Sequence, residues 1–175
     1  MNKIIRSFDP IADVRSRILV LGTMPGVMSL QKQQYYGHPR NAFWPVMASL
    51  CGTELSQEYD LRRAMLLDAG IALWDVCRQC EREGSLDSNI CNEEPNEIPA
   101  LLRRYPDIRA IAFNGKGAEK LFRRYFGAYV ATYETLVLPS TSPAYTLTFE
   151  RKLEGWRQIL RYLPGLSAES PAIAR

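Results

Sequence analysis

Histidine is almost missing from this chain: one residue in 175, His38. A metal or catalytic centre built on several imidazoles is therefore excluded. Cysteine is scarce as well, with four residues at positions 51, 77, 80 and 91. Cys77, Cys80 and Cys91 fall one ligand short of a zinc or iron–sulfur site, and His38 is remote from them in sequence. Cys51 belongs at the end of an amphipathic helix. Reduced, metal-free thiols are the expectation, as in a cytoplasmic protein. No apolar run approaches the length of a membrane span. Met1 to Pro10 has basic residues but no apolar core, so no secretory signal is expected there. No G-x-G-x-x-G pattern, Walker lysine or G-x-S-x-G elbow occurs, so nucleotide cofactors and serine-hydrolase chemistry are not favoured. Nor is there a strong excess of one charge. Twenty-two basic and 19 acidic residues leave +3, which permits DNA binding without demanding it. Arg103-Arg104 and Arg123-Arg124 read as solvated helix faces as readily as phosphate contacts.

What the chain does have is concentrated in one stretch. Tyr35-Tyr36-Gly37-His38-Pro39-Arg40-Asn41-Ala42-Phe43-Trp44 mixes aromatic rings with the sole histidine, an arginine and an asparagine. A core segment would carry fewer polar groups, and a solvated loop fewer rings. A pocket that stacks a flat ligand and polarises a bond or a water needs both.

The remaining pattern predicts an α/β fold. Apolar runs at Ile18–Leu21, Ile71–Trp74, Ile108–Phe113 and Thr135–Leu138 read as strands buried on both faces, hence a mainly parallel four-stranded sheet. Between them lie helices. Phe43, Val46, Met47 and Leu50 share a face that stops at Gly52. Leu61, Ala64 and Met65 share another that stops at Gly70. Pro99 opens a third, residues 118–126 form a fourth, and Thr148 caps a fifth with the stripe Leu153, Trp156, Ile159, Leu160 and Leu163. The expectation is a three-layer α/β/α sandwich in one domain, residues 1–164, followed by a disordered tail, 165–175.

In such sheets ligands bind beyond the carboxyl ends of the strands. Those ends carry Gly22-Thr23-Met24-Pro25-Gly26, Trp74-Asp75, Asn114-Gly115 and Pro139-Ser140-Thr141-Ser142-Pro143-Ala144. The glycine turn can bring backbone amides close to a ligand. The second proline-bounded loop offers hydroxyls suited to phosphates. Each has an ordinary explanation taken alone: a turn, a strand-to-helix connection, or, for Asn41, a helix cap.

Taken together, the Gly22–Gly26 turn, the His38-Pro39-Arg40-Asn41-Ala42-Phe43-Trp44 segment and the Leu138–Ala144 loop resemble the uracil-DNA glycosylase superfamily. The closest likeness is to its hypoxanthine (deoxyinosine) branch, and it spans about Arg17 to Leu163. The resemblance implies an α/β/α sandwich and a monofunctional glycosylase of base excision repair. Such an enzyme hydrolyses the N-glycosidic bond of hypoxanthine, and of uracil as a second candidate, in DNA, with no cofactor. At the superfamily's usual water-activating position this chain has Met24. The resemblance then implies a catalytic role for Asn41, with His38 assisting at the leaving base. It implies base stacking on Phe43 and base contacts from Gly22, Thr23, Met24, Asp75 and Asn114. It implies DNA contacts from Arg40, Ser140, Thr141, Ser142, Pro143 and Ala144. The expected partner is DNA containing deaminated bases, bound by a monomer away from membranes. Two other classes keep the same features: a DNA-lesion binder that does not cleave, and a small-molecule α/β hydrolase using the same strand-end cleft. Salt-dependent duplex binding separates the last from the other two.

Overall fold

A computed structural model describes residues 3–167 of the chain. In order, its elements are β1 (Ile4–Arg6), β2 (Ile18–Gly22), α1 (Val27–Lys32), α2 (Phe43–Cys51), α3 (Tyr59–Ala69), β3 (Ile71–Asp75), β4 (Cys77–Glu81), β5 (Cys91–Pro95), α4 (Ile98–Arg104), β6 (Ala110–Asn114), α5 (Lys116–Val130), β7 (Glu134–Leu138), α6 (Phe149–Trp156) and α7 (Pro164–Ser167). Short 3-10 turns occupy Asp87–Asn89 and Arg157–Tyr162.

The central sheet has the order β3-β2-β6-β7 and every pairing in it is parallel. Strand period decides which residues face which layer. Ile18 and Val20, with Ile71, Leu73, Ala110 and Ala112, pack under Phe43 and Met47 of α2, Leu66 of α3 and Trp156 of α6. Leu19 and Leu21, with Ala72, Ile111 and Phe113, pack under Leu101 and Leu102 of α4 and Ala118 and Phe122 of α5. This is the expected three-layer sandwich, with a full core on each face of the sheet. Gly52 (φ 65°) and Gly70 (φ 82°) end α2 and α3 in the left-handed region, where a side chain would be strained. Thr148 caps α6 by accepting from the Arg151 amide. Arg123 and Arg124 are tied to Glu119 and Glu93, in keeping with a solvated face.

A second sheet was not anticipated. The strands β1, β4 and β5 form a small antiparallel sheet in the order β1-β4-β5. Cys77 does not prolong β3; it opens β4 after a turn at Val76. Buried Asn96 fastens this sheet to the end of the main one, its amide donating to Asp75 O (2.8 Å) and Cys77 O (3.0 Å). The segment between β4 and β5 is thereby held over the carboxyl ends of β2 and β3. Of the expected tail, 165–175, the first three residues belong to α7 (Pro164–Ser167), and residues 168–175 lie outside the described residues. Among the described residues no helix is long and apolar enough to cross a membrane.

Candidate active site

The carboxyl ends of the parallel strands open into a cleft of about 460 Å³. Gly22 ends β2 and Thr23 and Met24 follow it, Asp75 ends β3, Asn114 ends β6, and Ser140 to Ala144 follow β7; all of them line it. His38 and Asn41 complete the wall from the loop before α2. Most of the residues expected at a site are therefore brought together. Arg40 is exposed and lies outside the cleft lining.

Phe43 is not brought into the cleft. It is fully buried, with its ring stacked on Tyr36 at 4.2 Å and edge-on to Trp44 and Trp156. Tyr36 lines the cleft instead. Tyr35 and Tyr36 pack against the same core cluster. Tyr35 is buried and bonds Asp9 O, while Tyr36, with a left-handed backbone (φ 51°), is half-buried between Phe43 and the cleft. A flat ligand in the cleft meets Tyr36, and Phe43 backs that ring from behind. Phe43→Leu is accordingly expected to cost about 1–2 kcal/mol of stability with cleavage retained, whereas Tyr36→Ala should lose about 1–3 kcal/mol of lesion processing. Thermal melts and single-turnover rates on the two variants check this.

The floor is Asp75. It is 4% exposed, and its Oδ2 has no hydrogen-bond partner among the described residues. Burial pushes its carboxyl up to about 7, nearby Asp87 pushes the same way, and Arg82 opposes both. Gly22 is required here by close approach: a Cβ on it would sit 2.6 Å from Asp75 Oδ1 and 2.9 Å from the Tyr36 hydroxyl. That hydroxyl is itself buried beside Asn114, and burial raises its pKa well above the ordinary tyrosine value.

Asn41 is both cap and wall. Its Oδ1 accepts from the Phe43 amide at 2.9 Å, which satisfies a donor at the start of α2 and fixes the side-chain amide in one orientation. The second lone pair on Oδ1 and the NH2 group remain for the cleft. His38 Nδ1 accepts from the Arg40 amide at 3.0 Å, so the neutral ring carries its proton on Nε2. Met24 is 7% exposed and packs with Cys77 and Cys80, so its side chain is a hydrophobic filler. Cys51, Cys77 and Cys80 are free thiols.

The loop after β7 is pinned from within. Asn114 makes two bonds to Thr141, accepting from its amide (2.9 Å) and donating to its hydroxyl (2.9 Å). Thr141 is fully buried, so its hydroxyl holds the loop and is not presented outward. Its carbonyl accepts from the Ala42 amide, stitching this loop to the Asn41 segment. Ser140 Oγ accepts from the Ser142 amide and Ser142 Oγ from the Ala144 amide. Each of these hydroxyls is held by a backbone amide and keeps its own proton to donate.

Sequence reasoning missed the wall opposite that loop. Ser85 to Ser88, between β4 and β5, line the cleft, and Asp87 accepts from the Thr23 hydroxyl at 2.7 Å. Arg82 anchors this wall by donating to Pro25 O (2.6 Å) and Gly84 O (2.8 Å). Nothing in the polar run Glu83–Asn89 marks it in advance.

Comparison with known proteins places this geometry. A family model for the Uracil DNA glycosylase superfamily matches residues 8–163. A hypoxanthine DNA glycosylase of Methanosarcina barkeri (strain Fusaro / DSM 804) is 36% identical over 159 residues, which cover 89% of this chain and 98% of that protein. A hypoxanthine DNA glycosylase of Methanosarcina acetivorans is 37% identical over 161 residues, covering 90% and 98%. A solution structure of a candidate uracil DNA glycosylase from Methanosarcina acetivorans superposes with a TM-score of 0.80 at 36% identity, covering 93% of this chain and 99% of that one.

Proposed function

The chain belongs to the uracil DNA glycosylase superfamily, and we propose that it removes hypoxanthine from DNA by hydrolysing the N-glycosidic bond, with uracil as a second substrate. The observation that carries this reading is the Asp75 carboxyl at the cleft floor, buried, with one oxygen unpartnered. The relatives that share nearly the whole chain are named hypoxanthine DNA glycosylases.

The base must leave the duplex stack before its glycosidic bond is accessible. Ser140 and Ser142 donate their hydroxyl protons to the phosphates of the bent strand, and Arg40 adds charge from outside the cleft. The extruded base lies on Tyr36. Asp75 as a carboxylate accepts from the N1–H of hypoxanthine; adenine presents a lone pair at N1, which a carboxylate repels. Uracil offers the same kind of ring N–H at N3.

As the bond breaks, the sugar gains oxocarbenium character and the base leaves with negative charge. The Nε2–H of His38 and the amides of the Gly22–Gly26 turn stabilise that charge. Asn41, fixed by its bond to the Phe43 amide, orients the attacking water through its free lone pair. An amide is a poor proton acceptor, so positioning and leaving-group stabilisation supply most of the rate. The water's oxygen joins C1′, its proton passes to solvent or to the departing base, and an abasic site remains. Among the described residues no lysine lines the cleft, so no amine attack on C1′ is expected and the product strand stays intact. We read the enzyme as a cytoplasmic monomer in which the buried Cys77 and Cys80 thiols are inert.

The test is incubation with labelled duplexes carrying deoxyinosine, uracil or xanthine, without added metal, followed by alkaline scission. Deoxyinosine is expected to be processed fastest. No abasic site on any of them at large enzyme excess would falsify the reading in favour of a binder that does not cleave.

A further inference from the structure

The Ser140–Ala144 loop is carried on α6 by three contacts. Trp156 Nε1 donates to Pro139 O at 2.8 Å. Gly155 lies so close to Pro139 that a Cβ on it would come within 2.5 Å of the ring. Lys152 Nζ donates to Ser142 O at 2.9 Å and lies 5.8 Å from the ring centroid of Tyr145. The third contact is the unusual one. Lys152 is 4% exposed, and among the described residues none of the ion pairs includes it. A buried ammonium held by a carbonyl and a ring, with no countercharge, is a costly way to fasten a loop. A methionine would fill the same space without that cost. The placement is accounted for if the countercharge comes from the substrate.

We propose that Lys152 is a positioning residue for DNA. It fixes the Ser140–Ala144 loop through the Ser142 carbonyl, and its unneutralised charge, held at that carbonyl, draws one phosphodiester onto the two serine hydroxyls of the loop. The inference rests on the glycosylase reading. Lys152 touches neither base nor sugar, and it acts through the loop. Because the charge is shielded from water on the protein side, its field at the loop surface is screened less than that of an exposed lysine.

The test is binding to a duplex that carries a tetrahydrofuran abasic analogue, measured over a series of salt concentrations for wild type, Lys152→Met and Lys152→Arg. Wild type should show salt-dependent affinity; if it does not bind duplex at all, the glycosylase reading fails and not this inference. Lys152→Met should bind about tenfold more weakly at low salt, and its log–log salt slope should flatten by about 0.9, the value of one phosphate contact. Lys152→Arg should recover the slope. A folded Lys152→Met protein with the wild-type slope, even at a lowered melting temperature, overturns the proposal, because a merely structural lysine changes stability and leaves the slope alone. Should Lys152→Met fail to fold, Lys152→Gln carries the same comparison, and a wild-type slope in that variant overturns the proposal equally.

Discussion

Replacing Asn41 by alanine is expected to slow single-turnover cleavage of a deoxyinosine duplex by two to three orders of magnitude, roughly the loss seen when one preorganised polar group is removed from an active site. The same change removes the bond from Asn41 Oδ1 to the Phe43 amide, so stability should also fall by about 1 kcal/mol. The two effects are separable because they differ so much in size. Loss of a cap leaves nearly all molecules folded, whereas loss of the water-positioning group affects every turnover. Duplex binding should survive, since Ser140 and Ser142 lie on the other loop and the change leaves Arg40 in place. Asn41→Asp tests the assignment from the opposite side. Aspartate caps as well as asparagine and offers carboxylate oxygens to water, so this variant should stay stable and keep substantial activity. A stable Asn41→Ala protein that cleaves at near the wild-type rate would leave Asn41 as a cap only and move the catalytic assignment to His38 and the Gly22–Gly26 amides.

Asp75→Asn is expected to change the pH dependence of stability. In the unfolded chain this carboxyl titrates near 3.8; in the folded protein burial, with Asp87 nearby, raises it to about 7. Between those values the native state binds the extra proton. Wild-type stability attributable to this group therefore falls as pH rises from about 4 to about 7, and is level above and below that window. A shift of this size corresponds to a penalty on the order of 4 kcal/mol at pH 8. Asparagine has no charge to bury. The variant should match wild type near pH 4 and melt higher at pH 8. A melting-temperature difference that stays constant from pH 4 to pH 8 would contradict the buried-carboxyl assignment. On activity, the asparagine oxygen still accepts from N1–H, so Asp75→Asn should process deoxyinosine. Asp75→Leu leaves that N–H unpaired and should lose about 1–3 kcal/mol, roughly five- to 150-fold.

The main sheet was legible because β2, β3 and β6 are buried on both faces. Ile18 to Leu21 and Ala110 to Phe113 are continuous apolar runs, as a covered parallel sheet calls for. The edge strand β7 departs from the expected full burial, since Glu134 and Val137 are exposed. The helices were legible through their punctuation: Gly52, Gly70, Pro99 and Thr148 all stand at helix ends. The antiparallel sheet was not legible. Cys77-Arg78-Gln79-Cys80-Glu81 and Cys91-Asn92-Glu93-Glu94-Pro95 are short, charged strands with no clean alternation in sequence, held by cross-strand pairing, by Asn96 and by a small cluster of Met24, Cys77 and Cys80. That gap concealed Asp87, which reaches the cleft only because this sheet carries it there.

Within the site, residues whose chemistry must face a ligand were found by type, and orientation was not. Asn41, His38 and Asp75 do line the cleft. Phe43 and Tyr36 are both rings in one segment, stacked on each other, and residue type alone does not say which of them faces the cleft. Thr141 looked like its neighbours Ser140 and Ser142, yet its hydroxyl is turned to Asn114. A methyl group suits the buried position, and a serine would leave a void there. Lys152 reads in sequence as one more charge on the exposed face of a helix. Its burial follows from how tightly Gly155 lets α6 approach Pro139.

The most direct measurement is the amount of free hypoxanthine liberated from a deoxyinosine duplex under single-turnover conditions in chelator, read by mass spectrometry alongside the integrity of the strand. The cleft described here predicts one hypoxanthine per duplex, an abasic site in an unbroken strand, and at least a hundredfold slower release by Asn41→Ala. Tight binding of the duplex with no hypoxanthine released, or release that is unchanged in a folded Asn41→Ala variant, would contradict it.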